Sequence, residues 1–414
     1  MTEDVDFKQT EIRRIPKEWE LIKFKEVFSY IKGKKPAELI DEYKGNYLPY
    51  LSTEYLRENK ATKFARISED VISINKGDLI LLWDGSNAGE FFIGKEGILS
   101  STMVKLQLKK ENINSVFVFY LLKIKEYYLS GLTRGTGVPH VDKNVLENLT
   151  LLLPPLPEQQ KIAEILSTVD SAIEKVNQAI EKTQRLKKGL MQELLTKGIG
   201  HKEFKDTEIG RIPKEWEVVR LGEVAQVKGG KRLPKGHKLV DYKTPYPYIR
   251  VVDFKNMSID TKNIKYLLPE THSMIHRYTI SSNDVYISIA GTVGLVGLVP
   301  EQLDSANLTE NAAKLCNLKN VSKEFLAYVL SSSKIQNQIR SLAGKAQQPK
   351  LALFRIEKIK LPLPPLPEQQ KIAEILSTVD KRLELLRAKK EKLERIKKGL
   401  MNDLLTGRRR IRIC

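Results

Sequence analysis

Between residues 157 and 196 the apolar positions Ile162, Leu166, Val169, Ile173, Val176 and Ile180 follow one another at steps of 4, 3, 4, 3 and 4. That spacing is a heptad seam and predicts one long helix with a single apolar stripe. Pro154, Pro155 and Pro157 block helix upstream, and Pro157 suits a first-turn position. The pattern returns at Ile372, Leu376, Val379, Leu383 and Leu386, then at Leu393 and Ile396. One step lands on Lys390, whose aliphatic stem can still cover the seam. About 40 residues at about 1.5 Å each make a helix about 60 Å long. A stripe of that length must be buried, and each copy carries a matching one. A two-fold relation between the copies makes the pairing antiparallel.

The segments before each helix have shorter periods. Residues 78–83, DLILLW, and 284–289, DVYISI, are apolar runs of strand type ended by glycine. Residues 99–108 alternate like one strand, while 115–128 and 322–342 read as helices. Each helix is followed by a glycine-containing loop, GLTRGTGVPH or AGKAQQPK, and then a short strand leading into the Pro-rich start of the long helix. The order is α/β domain, long helix, α/β domain, long helix.

Behind this order lies an internal repeat. FKQTEIRRIPKEWE at 7–20 answers FKDTEIGRIPKEWE at 204–217, an offset of 197. LPPLPEQQKIAEILSTVD at 153–170 recurs unchanged at 363–380, an offset of 210, and RLKKGLMQELLT at 185–196 answers RIKKGLMNDLLT at 395–406. Between these blocks the halves diverge, with a few anchors: Gly33-Lys34-Lys35 faces Gly230-Lys231-Arg232, Pro49-Tyr50-Leu51 faces Pro247-Tyr248-Ile249, Gly85-Ser86 faces Gly291-Thr292, and Pro139 faces Pro349. One scaffold with two different surfaces suggests that each half recognises something different.

Composition adds a sign to that recognition. The chain has 414 residues, and 70 Lys+Arg against 51 Asp+Glu give it a net charge of +19 and a pI near 9.5. A polyanion is the simplest partner for such an excess. The apolar fraction, 41%, is that of a folded protein, and the length suits two or three domains. No run of 18 apolar residues exists, so no membrane span is expected. MTEDVDFKQTEIRR at the start lacks a signal core, and two distant cysteines, Cys316 and Cys414, fit a reducing compartment; both point to the cytoplasm.

Catalytic chemistry is hard to find. There is no GxxxxGK[ST] phosphate loop and no Asn-Pro-Pro-Tyr or Asp-Pro-Pro-Tyr tetrapeptide of an adenine-amino methyltransferase. Gly135-Thr136-Gly137 is a lone GxG and reads as a tight-turn or substrate-facing loop. His272 and His276 have i, i+4 spacing, but no nearby cysteine or carboxylate completes a metal set. Cys316, in KLCNL, reads as a buried structural thiol. No catalytic residue, metal ligand or cofactor is therefore expected on this chain.

Nucleic-acid features are better represented. In the first domain Lys34, Lys35, Arg134, His140 and Lys143, with the polar loop residues Ser86, Asn87 and Thr136, are candidate DNA contacts. In the second they are Lys231, Arg232, Lys235, Arg250, Thr292, Lys345, Gln347, Gln348 and Lys350. Lys and Arg neutralise phosphates, while Arg, Asn and Gln can also grip base edges bidentately. The tail GRRRIRI at 407–413 has three readings: DNA contact, docking onto the body, or a loose end.

The paired IPKEWE starts, the paired LPPLPEQQKIAEIL segments opening each long helix and the paired KKGLMxxLLT endings together resemble the specificity subunit of type I restriction-modification systems, over the whole chain. The resemblance implies a mixed α/β fold: two similar target recognition domains separated by two long helices that pair as an antiparallel coiled coil. Each domain would read one half of a split, asymmetric site in double-stranded DNA. The helices would act as spacer and as docking surface for two methyltransferase subunits, and restriction subunits would join the full assembly. S-adenosylmethionine, ATP and Mg would then belong to those partners. The domains would be 1–155 (recognition, from about 15), 156–200 (spacer), 201–365 (recognition, from about 212) and 366–414 (spacer and basic tail). The family's motifs name no base-reading residue, so the contacts above rest on local chemistry alone.

Two other readings remain open: a coiled-coil adaptor with an incidentally basic surface, and an enzyme with its active site inside the recognition domains. The charge distribution favours the DNA reading. Residues 158–196 carry six acidic and six basic groups, and 368–406 seven and ten. With Arg408, Arg409, Arg410 and Arg412 set aside, +12 of the +19 lies elsewhere, mostly in the two recognition domains.

Overall fold

The computed structural model describes residues 7–10, 14–134, 137–344 and 349–411. It divides into two compact units, Met1–Asn177 with Ala388–Cys414, and Gln178–Arg387. Each unit thus holds one α/β domain, the first part of one long helix and the last part of the other.

In the first unit a four-stranded antiparallel sheet runs in the order Phe91–Ile93, Leu79–Leu82, Met103–Leu108, Phe28–Lys32. A second sheet has the order Leu39–Ile40, Phe64–Arg66, Tyr47–Leu51, Gly97–Leu99, Ser73–Ile74, with one parallel pair, Tyr47–Leu51 on Gly97–Leu99. The second unit repeats the plan. Gln226–Gly229, Ala312–Cys316, Val285–Ser288 and Val296–Leu298 form the first sheet. Lys265–Tyr266, Pro247–Ile249, Ala306–Leu308 and Thr279–Ile280 form the second, again with one parallel pair, Pro247–Ile249 on Ala306–Leu308. The apolar runs predicted as strands, Leu79–Leu82 and Val285–Ser288, are buried at every position. A strand buried on both faces has no polar face to show, which explains their lack of alternation.

Three predicted elements differ. Residues 99–108 are not one strand: Gly97–Leu99 and Met103–Leu108 belong to different sheets, with a turn at 100–102. The helix expected over 322–342 is Lys323–Ser331 followed by Ser333–Ala343. Ser332 takes an extended backbone, φ −63° and ψ 145°, and its hydroxyl caps the second helix by accepting from Ile335 N at 3.4 Å. Serine competes with the helix for its own backbone groups, so a serine triplet is a natural break. The helix expected over 115–128 is Ser115–Lys123 followed by Glu126–Ser130. The break lets the Glu126 carboxylate accept from Phe91 N at 2.7 Å and Lys123 Nζ at 2.6 Å, tying helix to sheet.

Strands Thr150–Leu153 and Lys360–Leu363 pair antiparallel with Glu20–Lys23 and Glu217–Arg220, and lead directly into the long helices Leu156–Lys197 and Leu366–Leu404. In the first unit Ile162, Ala163 and Leu166 of the first long helix share a core with Leu404, the last residue of the second, and with Leu405 just beyond it, flanked by Leu400 and Met401. In the second unit Ile372, Ala373 and Leu376 meet Leu194 and Leu195, flanked by Leu190 and Met191. In each unit, then, the start of one helix packs on the end of the other, so the pairing is antiparallel. The stripe includes polar residues: Thr183 is buried, and Lys187 holds the seam position equivalent to Lys397. The expected seam residue Ile396 is 43% exposed, and the seam passes through Lys397 instead. Lys390 is half-buried, at ion-pair distance (3.9 Å) from Glu394.

A carboxylate anchors each helix start. Glu158, fully buried, accepts from Trp19 Nε1 at 3.1 Å and Arg410 Nε at 2.7 Å. Glu368 accepts from Trp216 Nε1 at 2.9 Å, Ile199 N at 2.9 Å and His201 Nε2 at 2.9 Å. The tail therefore docks at Arg410, which also reaches Glu18 at 2.7 Å. Arg412 and Cys414 lie outside the described residues. Among the described residues no helix is long and apolar enough to cross a membrane.

Candidate nucleic-acid interface

In the first unit strand Phe28–Lys32 delivers Gly33, Lys34 and Lys35. Gly33 N donates to Met103 O at 2.9 Å, and a Cβ on Gly33 would fall 2.1 Å from Ser100 O. Only glycine allows that approach, which fixes where the exposed Lys34 and Lys35 emerge. The turn after Leu79–Leu82 is held beside them: Trp83 N and Asp84 N both donate to Thr102 O, at 2.8 and 3.0 Å. Gly85 N donates to Pro139 O at 2.9 Å, and Val141 N to Trp83 O at 2.9 Å. Ser86 and Asn87, both exposed, are thereby set against the segment that carries His140. His140 exchanges two backbone hydrogen bonds with Arg134, at 2.8 and 2.9 Å. Arg134 Nε ion-pairs with Asp142, and Lys143 lies 3.7 Å from Glu147. Glu147 also accepts from Tyr30 Oη at 3.1 Å; burial and this carboxylate push the Tyr30 phenol up to about 12. The structure thus brings Lys34, Lys35, Ser86, Asn87, Arg134 and His140 to one cluster of loops, with Lys143 opening the helix that follows. Thr136 lies outside the described residues.

The second unit repeats the device with other side chains. Gly230 N donates to Ala312 O at 3.0 Å, and a Cβ there would fall 2.1 Å from Thr309 O. Lys231 N donates to Leu308 O at 2.8 Å, and its ammonium sits 5.4 Å from the Tyr278 ring centre. Arg232 Nε donates to Glu310 Oε1 at 2.9 Å. Burial works against the Glu310 charge, but the Arg232 hydrogen bond helps to hold its carboxyl below the usual range. The loop carrying Thr292 is fixed by Ile289 N donating to Asn311 O at 2.8 Å and by Ser288 Oγ donating to Thr292 O at 2.5 Å. Ala290 bridges to Lys350, and Leu351 N donates to Ile289 O at 2.9 Å. Lys231, Arg232, Thr292 and Lys350 thus lie on adjoining loops, all exposed, with exposed Lys235 further along the loop from Gly230. Lys345, Gln347 and Gln348 lie outside the described residues.

Arg250 differs from its expected role. Its Nε and Nη2 donate to Asp253 at 3.0 and 2.7 Å, and Nη2 also reaches Asn263 O at 3.0 Å. The guanidinium is committed to its own turn and is not retained as a contact. Sequence reasoning also passed over Thr102, Glu310 and Asn311. Leu99-Ser100-Ser101-Thr102 and Leu308-Thr309-Glu310-Asn311 occupy equivalent turns, and aligning the two leucines at an offset of 209 was the available signal. His272 stacks on Tyr246 at 4.0 Å and hydrogen-bonds Asn307 at 2.9 Å, while His276 caps its own helix through Ser273 O. Among the described residues no three His, Cys, Asp or Glu side chains gather as a metal site. Cys316 is buried, with Sγ 3.6 Å from Gln226 O.

Fold and loops together define a class: an internally duplicated α/β protein carried on two antiparallel long helices. Residues 16–183 and 213–395 match the family described as type I restriction modification DNA specificity domain. The type I restriction enzyme MjaVIII specificity subunit of Methanocaldococcus jannaschii is 40% identical, across 98% of this chain and 96% of that protein. A putative MjaX specificity subunit of the same organism is 32% identical over 98% and 97%. In fold, the chain resembles a type I restriction-modification S subunit from M. genitalium, with a TM-score of 0.63 and 17% identity, covering 96% of this chain and 97% of that one. The chain belongs to the type I restriction-modification DNA specificity family. It is a DNA sequence-specificity subunit, the non-catalytic component of such a system.

Proposed function

We propose that this chain reads a bipartite, asymmetric target in double-stranded DNA, one half with each recognition domain, about residues 15–155 and 212–365. The observation that carries the reading is the duplicated glycine device. Gly33 and Gly230 make the same close approach to a neighbouring turn, yet present Lys34-Lys35 in one unit and Lys231-Arg232 in the other. Equal scaffolds with unequal contact residues suit two different half-sites. The antiparallel helices, 156–200 and 366–414, serve as spacer and as docking surface for two methyltransferase subunits. Restriction subunits join the full assembly; S-adenosylmethionine, ATP and Mg are bound by these partner subunits and not by this chain, and the assembly works in the cytoplasm.

Binding to duplex DNA, titrated with salt in the presence of the methyltransferase, tests this reading. The logarithm of the binding constant should fall linearly with the logarithm of salt concentration, with a slope of about −0.9 per neutralised phosphate. Binding that does not respond to salt favours a protein adaptor instead.

A further inference from the structure

Among the described residues, the loop cluster of each unit carries an exposed arginine whose nearest carboxylate contact is made through Nε. In the first it is Arg134 with Asp142, and in the second Arg232 with Glu310. The arginine side chains are 66% and 79% exposed. Both carboxylates are themselves held. Asp142, 7% exposed, caps the helix Lys143–Glu147 by accepting from Asn144 N at 2.8 Å. Glu310 Oε2 accepts from Thr309 Oγ1 at 3.0 Å. The backbone is held too, by the paired Arg134 and His140 and by the Lys231 bond to Leu308 O.

A guanidinium has five N–H donors in a rigid plane. With Nε occupied, the two Nη groups form a fork whose spacing matches O6 and N7 of guanine in the major groove. Among the described residues neither fork has another partner. Arg57, Arg250 and Arg410 differ, because each engages both Nε and an Nη group within the protein. We propose that Arg134 and Arg232 are the guanine-reading side chains of the two half-sites, with Asp142 and Glu310 as positioning residues that aim the forks. The proposal rests on the DNA-reading function above and adds to it a base identity and the residues that impose it.

The test is single-molecule sequencing of methylated adenines in cells expressing the full chain with its methyltransferase. The wild-type motif should hold a G·C pair in each half. Arg134→Ala and Arg134→Lys should both relax one G·C position in one half by about tenfold to a hundredfold. The same changes at Arg232 should relax the other half only. Lysine keeps the charge but loses the fork, so a mere phosphate contact would survive it. Asp142→Asn keeps a capping residue and Glu310→Gln keeps the shape, and each should weaken the same position less than loss of its arginine. A half-site without a G·C pair, or Lys variants with unchanged base preference, overturns the inference while leaving DNA reading intact. No bipartite motif at all overturns both.

Discussion

The Asp170 carboxylate meets the Lys397 ammonium at 2.6 Å, and Asp380 meets Lys187 at the same distance, the four positions related by the 210-residue repeat. Tyr120 Oη donates to Asp170 at 2.6 Å and Tyr328 Oη to Asp380 at 2.9 Å. Each cluster joins a recognition-domain helix to both long helices within its own unit. Lysine at a seam position is tolerated because a carboxylate and an aromatic face receive it, Lys397 lying 5.4 Å from the Tyr120 ring centre and Lys187 5.8 Å from that of Tyr328. Asp170→Asn and Asp380→Asn should each lower stability by about 1–2 kcal/mol, seen as a lower denaturant midpoint with unchanged slope. No change would show that the ion pairs contribute nothing to the helix pairing.

Ending the chain after Gly407 removes Arg410 and leaves Glu158 buried with Trp19 as its remaining partner. An uncompensated buried charge costs about 3–5 kcal/mol. The truncated protein should melt well below the full chain, and Glu158→Gln should recover part of the loss. A tail that only touched DNA would leave the melting temperature unchanged.

The alkaline limit of stability follows from four phenols. Burial and the neighbouring Glu147 push Tyr30 up to about 12, and burial raises Tyr120, Tyr286 and Tyr328 as well, with Asp170 and Asp380 adding to the first and last. In the unfolded chain each titrates near 10. Above that pH the unfolded state loses its protons first, so stability is whole below about 10 and declines above it. A late step in tyrosinate absorbance, from these four phenols, should coincide with the loss of helical circular dichroism. Normal titration of all phenols ahead of unfolding would contradict this.

Gly33→Ala and Gly230→Ala each place a Cβ 2.1 Å from a carbonyl oxygen. The backbone must move, at about 1–3 kcal/mol, and the adjoining cations move with it. Both variants should bind DNA more weakly than wild type in a salt-matched titration. Gly45→Ala, where a Cβ would meet nothing within 4 Å, is the control and should bind normally.

Much of the scaffold was legible because repetition and period are local signals. The seam from Ile162 to Ile180 and the strands leading into both helices stand where the sequence placed them. The Ser332 break, the move from Ile396 to Lys397 and the commitment of Arg250 to Asp253 were not legible. Each depends on what a side chain meets across the fold: Lys397 belongs to the seam only because Asp170 and Tyr120 await it. The anchors of Glu158 and Glu368 were hidden for the same reason, since Arg410 and His201 follow the ends of the opposite helices. The loop cations were visible as charge, while the carboxylates that aim Arg134 and Arg232 were not.

If two different readers act through one pair of helices, lengthening both helices changes the distance between the half-sites and leaves each half-site as it was. The most direct test is single-molecule sequencing of methylated adenines with the wild-type chain and with a variant carrying one four-residue turn inserted in both 171–184 and 381–394. The expected result is a bipartite motif whose two halves are unchanged in the variant and whose unread gap is altered. An unchanged gap, or a motif that is not bipartite, would contradict it.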